Sequence, residues 1–62
     1  MTHVFRYVIT GRTGYETLRN FVAATRDEAD DMAEEFRRSR EYVDARLDAI
    51  DGVEVPQDGP SE

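Results

Sequence analysis

Two short runs at the start of the chain put apolar residues at strand-like density. From His3 to Thr10 the sequence HVFRYVIT is rich in β-branched and aromatic residues, which fit a pleated surface. GRTG follows at Gly11–Gly14, and its glycines can take the positive φ that a tight turn needs. YETLRNFVAA, residues 15–24, then reads as a second strand. The pattern predicts a β-hairpin with strands over 3–10 and 15–24. Its register stays open: a two- or four-residue loop sets Tyr7 against Leu18, and a three-residue loop sets Val8 there. One residue of slip exchanges the faces of Phe21 and Val22.

In either register both faces of the hairpin are apolar. Phe5, Tyr7 and Ile9 line one side of the first strand, with Val4 and Val8 on the other. A single helix covers one face of a sheet, so the second face calls for another cover, most economically a second copy of the chain.

From Thr25 the period changes. Ala29, Ala33, Phe36, Val43, Leu47 and Ile50 are spaced 4, 3, 7, 4 and 3 residues apart, with Arg40 filling the long gap. That is a 3.5-residue seam, flanked by Met32, and it predicts one amphipathic helix over 26–51. Thr25-Arg26-Asp27-Glu28 fits a capping box, acidic residues crowd the first turns, and Gly52 suits a left-handed C-cap. A competing reading ends one helix near Ser39 and starts a second there, but no Gly or Pro marks the break. A helix of roughly 25 residues spans about 37 Å, against about 27 Å for an eight-residue strand. Val43, Leu47 and Ile50 would therefore project past the hairpin and meet a partner. Val53–Val55 can add a short third strand, and PQDGPSE, residues 56–62, has the composition of a disordered tail.

Composition narrows the partners. The 62-residue chain has a net charge of −6 and no cysteine, and a pI near 4.6. Nucleic acid and anionic membranes are disfavoured, basic partners are favoured, and disulfides and thiolate metal sites are excluded. Too short to bury much surface alone, such a chain gains from self-association. All eight positive charges are arginine, a bias that GC-rich codons or a high-salt cytoplasm explain without functional demand. No apolar run approaches the roughly 20 residues of a membrane span, and the start lacks the pattern of a secretory signal. The default location is cytoplasmic, meaning the host cytoplasm for a phage-encoded chain.

Motifs with chemical meaning do not hold up. Asp27-Glu28-Ala29-Asp30 spells the DEAD of helicase ATPases, yet it opens a helix and no phosphate-binding loop or lysine accompanies it. Gly11-Arg12-Thr13-Gly14 matches the GxxG of KH domains, but strands flank it rather than helices. Asp27, Asp31 and Glu34 share a helical face and are better read as solvated than as a cation site. The lone histidine, His3, has no second imidazole to help bind metal, and nucleophilic pairs of the Cys-His kind have no cysteine. No catalytic, cofactor or metal residue is assigned and no enzyme is expected.

Two charge patterns carry more. Asp27, Glu34, Glu41 and Asp48 recur every seven residues, an acidic row that on a helix advances about 10 Å per step. It would face a basic protein or imitate a phosphate backbone, as DNA-mimic inhibitors do, and it also reads as an ordinary solvated row. Arg6, Arg12 and Arg19 fall on the hairpin beside Tyr15, and a hairpin on a helix is similar in outline to the small ββα arm domains that insert a sheet into DNA. Those domains are generally basic and usually three-stranded.

The sequence therefore predicts an α+β homodimer of ββα subunits, residues 1–55, with long helices paired antiparallel. The expected interface is Phe36, Arg40, Val43, Leu47 and Ile50, together with Phe5 and Tyr7; Arg40 would reach Asp44 or Glu41 of the partner. The expected role is a small acidic, non-enzymatic interaction or regulatory protein that binds another protein. In size and composition it is similar in kind to accessory proteins of phages and mobile elements. The alternatives are a nucleic-acid-binding module using Arg6, Arg12 and Arg19, or an acidic DNA mimic.

Overall fold

A computed structural model describes residues 1–56. The chain runs β1 (His3–Thr10), β2 (Glu16–Ala23), α1 (Arg26–Ser39), β3 (Asp44–Ile50) and β4 (Val53–Glu54). All strands are antiparallel neighbours in one sheet of order β2-β1-β3-β4. The fold is α+β, as the patterning predicts, with four strands rather than two or three.

The hairpin forms with Val8 opposite Leu18 and Thr10 opposite Glu16. Gly11 N–H donates to the Tyr15 carbonyl at 2.7 Å, which leaves a three-residue loop of Arg12, Thr13 and Gly14. Gly14 closes it at φ +85°, the left-handed position such loops reserve for glycine. That loop decides the register.

α1 starts as its capping box predicts. The Thr25 side chain accepts from Glu28 N–H at 3.2 Å, and the Glu28 carboxylate accepts from Ala24 N–H at 3.0 Å. The helix then stops at Ser39, so the predicted continuation to residue 51 is wrong. Arg40 N–H donates to the Phe36 carbonyl, Glu41 N–H to Arg38, and Tyr42 N–H to Arg37. The last two bonds are those of a Schellman motif, with Glu41 in the left-handed position at φ 60°. Tyr42 stacks on Phe36 with ring centroids 5.6 Å apart, the apolar contact that accompanies this closure. The competing reading places the break correctly, but a strand follows it instead of a second helix.

β3 pairs with the free side of β1, so β1 lies in the middle of the sheet. The register shifts between Arg6, opposite Ala49, and Tyr7, opposite Leu47, which leaves Asp48 as a bulge residue. The bulge lets Leu47 and Ile50 share the helix-facing side despite a spacing of three. Asp51 and Gly52, at φ 52° and 82°, turn the chain into β4, so Gly52 serves a hairpin and not a helix end. The short strand expected at 53–55 is present at Val53–Glu54. Of the expected tail, only Pro56 lies within the described residues.

The core lies between α1 and one face of the sheet. Phe5, Tyr7 and Ile9 are buried against Ala29, Ala33, Ala23 and Leu47, with Phe21, Phe36, Tyr42 and Ile50 packed around them. Alanines at the helix contact let its backbone approach the aromatic β1 closely. Two packed layers fit the 16 Å smallest dimension.

Leu47 and Val43, which the sequence places on one seam, separate here into a buried and an exposed residue. Leu47→Ala is expected to cost about 2–4 kcal/mol in urea unfolding, while Val43→Ala stays within about 0.5 kcal/mol. Glu41→Gly relieves a left-handed backbone that costs a side-chain-bearing residue about 1–2 kcal/mol, less the entropy glycine adds on unfolding. It is expected to raise stability modestly in the same assay.

Candidate interaction surface

Alternation along β1 sends Phe5, Tyr7 and Ile9 to the helix and Val4, Arg6 and Val8 to the opposite face. Nothing within the described residues covers that second face as α1 covers the first. The hairpin register sets Val4 beside Val22 and Val8 beside Leu18, with Arg6 and Asn20 between them. The result is two apolar cross-strand pairs flanking a polar one. Val4 is 41 %, Leu18 58 % and Val22 56 % exposed, while Val8 is buried at the centre of the sheet. Arg6 does not stand free within this strip, because its Nε donates to Asp48 Oδ2 at 2.8 Å. Arg46 and Glu16 approach to 4.0 Å across the same face. Two ion pairs thus lie on this face beside the exposed apolar groups of Val4, Leu18 and Val22.

The predicted site residues fall elsewhere. Phe5, Tyr7 and Leu47, assigned to a dimer interface, are core residues of one subunit. Phe36 is packed between Phe21 and Tyr42, and the Arg19 and Arg40 guanidiniums lie 4.7 Å and 5.6 Å from its ring centre. Arg40 caps the helix end, and Ile50 pairs with Phe5 inside the sheet. Among the apolar members only Val43 presents most of its side chain to solvent. The seam was a mixture of helix core, cap and strand.

The acidic row is likewise dispersed. Asp27 and Glu34 sit on α1, Glu41 lies in the closing turn 3.5 Å from Arg12, and Asp48 is the bulge residue held by Arg6. The three hairpin arginines are brought to different places: Arg6 on the open face, Arg12 at the loop beside Glu41, and Arg19 over Phe36. They form no common patch.

A cleft of about 350 Å³ lies between α1 and β3, with Tyr7, Asp30 and Glu34 among its lining. Its polar groups are engaged. The Tyr7 hydroxyl donates to Asp30, and Arg26 lies 3.9 Å from the same carboxylate. Glu34 is held by Arg37 at 2.6 Å and by Arg38 at 3.5 Å, and these contacts, Arg37 foremost, lower its pKa. At the opposite end, Asp51 accepts from Val4 N–H at 2.8 Å and contacts His3 Nδ1 at 2.7 Å, which together depress its pKa. These contacts tie the start of β1 to the β3–β4 turn. Among the described residues no three histidines or carboxylates are grouped to hold a metal ion, and no helix is long and apolar enough to cross a membrane.

The surface residues that patterning misses are Leu18, Asn20 and Val22. Their face depends on the hairpin register, and Gly14 at the end of a three-residue loop is the signal that fixes it. The chain matches no protein-family model, no curated protein and no solved structure.

Burial, and then the Asp30 hydrogen bond and charge, push the Tyr7 phenol well above its ordinary value of 10.0. Below that value the phenol is protonated whether the chain is folded or not. Above it the unfolded chain releases a proton that the folded chain retains, so stability falls with rising pH. The urea midpoint of the wild type should therefore drop above about pH 10, and that of Tyr7→Phe should drop less, narrowing the gap between them.

Proposed function

We propose that this is a small, acidic, non-enzymatic interaction protein whose contact surface is the open face of its sheet. The observation that carries the reading is the apolar strip of Val4, Leu18 and Val22, exposed beside the Arg6–Asp48 and Glu16–Arg46 ion pairs. Exposed apolar groups clustered on one face and rimmed by polar residues are how protein contacts are built. The remaining charge supports a division of labour. Asp27, Glu28, Asp31 and Glu35 lie exposed on α1, on the other side of the molecule, where they keep the chain dispersed. A partner on the sheet face meets apolar surface first. A regulatory or inhibitory role in a host cytoplasm is compatible with such a module.

Capture from a lysate of the producing cells tests this, with the wild type immobilised beside Val4→Gln. That substitution removes apolar surface from the strip without adding charge or touching the core. A partner held by the wild type and at least several-fold less by Val4→Gln is the expected result. Equal retention moves the contact to another surface, and no retained protein in either sample removes the interaction reading.

A further inference from the structure

We propose that two copies of this chain join edge to edge through β2, forming a continuous eight-stranded sheet in a register centred on Asn20. The two ends of the sheet differ. β4, at one edge, has two residues, whereas β2, at the other, has eight. A long free strand is a template for pairing, and proteins that avoid it place charged residues, proline or a bulge there. β2 has no proline and no bulge, and its two charged side chains are engaged within the subunit, Glu16 near Arg46 and Arg19 over Phe36.

Hydrogen-bond phase identifies which groups are on offer. Gly11 bonds Tyr15 across the hairpin, and in an antiparallel pair bonded and non-bonded pairs alternate. Thr17, Arg19, Phe21 and Ala23 therefore turn their amides to β1, and Glu16, Leu18, Asn20 and Val22 turn theirs to the free edge. The other side of β1 agrees, because the Val4 and Thr10 carbonyls accept from Asp51 and Val43.

Side chains then choose the occupant and the register. Two copies pair antiparallel about an axis perpendicular to the sheet, so each register is named by the residue that meets itself. Centring on Arg19 would set two guanidiniums face to face, which is destabilising. Centring on Leu18 or Phe21 shortens the ladder. Centring on Asn20 uses the full strand and pairs Leu18 with the partner's Val22. It also sets Arg19 against the partner's Phe21, on the side where Arg19 already covers Phe36. Glu16 and Arg19 cancel within β2, so this edge is locally neutral in a chain of net charge −6. Self-complementarity of this kind points to a second copy over a foreign strand. The dimer deepens the proposed function, because the two apolar strips become one surface.

Sedimentation over a concentration series tests the dimer, together with one proline variant and two cysteine variants of β2. The wild type should approach twice its 7.1 kDa mass. Asn20→Pro removes an edge-facing N–H that has no bond within the subunit, so it should leave a folded monomer by circular dichroism. Asn20→Cys, in a chain without other cysteines, should be linked across the two-fold by a short bis-maleimide, and Leu18→Cys should not. A wild type that stays monomeric at every concentration overturns the proposal, as does a dimer that survives Asn20→Pro. Linkage of Leu18→Cys as efficient as that of Asn20→Cys overturns the register, and the cross-link decides the matter even if the proline variant fails to fold. Loss of the dimer with partner capture intact separates this proposal from the interaction reading on which it rests.

Discussion

The closure of α1 between Arg37 and Tyr42 is the constraint on which the rest of the molecule depends. It stops a helix that its own polar and apolar spacing would carry further, and it turns the chain back toward β1. Without that turn β3 has no place beside β1, and Leu47 and Ile50 would point into solvent. The closure has a cost, since Glu41 adopts a backbone conformation that side chains resist. Its compensation is local and visible: two backbone bonds, the Phe36–Tyr42 stack, and Arg37 donating to the Tyr42 carbonyl at 3.3 Å. A residue such as Tyr42, apolar in body and two places beyond the cap, does here what a glycine signal does in other helices.

The same residues explain how far the sequence could be read. The hairpin, the Thr25 cap and the presence of two apolar faces are local properties, and local patterning finds them. The second half of the supposed helix is not local. Val43, Leu47 and Ile50 carry spacings of four and three, which fit a 3.5-residue seam, yet a strand bulged at Asp48 places Leu47 and Ile50 on one side equally well. Period alone cannot separate a helix from a bulged strand over seven residues. Asp51-Gly52, flanked by apolar residues, is the stronger signal, because that pair suits a two-residue hairpin turn. The candidate surface was half legible: Val4 and Val8 follow from alternation, whereas Leu18 and Val22 follow only from the loop length.

Charge is distributed according to what each element must do. Where arginine meets carboxylate on α1, as at Glu34–Arg37, the pair joins residues one turn apart at the surface, and such pairs contribute little to stability. Arg6–Asp48 differs in kind. It spans β1 and the bulge of β3, so it links residues far apart in sequence at the point where the sheet changes register. Arg19 and Arg40 act through their planar faces, shielding the Phe36 ring at the end of the helix. The uniform use of arginine therefore has at least two structural uses that lysine would fill less well.

The described residues form one helix, and one helix covers one side of a sheet. The aromatic side of β1 receives that cover, since Phe5 and Tyr7 have the most surface to hide. The valine and leucine side is left with smaller groups, and its central residue, Val8, is already shielded by the strands around it. What stays exposed is concentrated on β2, the strand with a neighbour on only one side. Unmet backbone bonding and uncovered apolar surface thus converge on the same eight residues. A cover for one need not cover the other: a strand added at the edge satisfies the backbone, while the face above Val4 and Leu18 remains available. That separation is the physical reason an edge contact and a face contact can coexist on so small a protein.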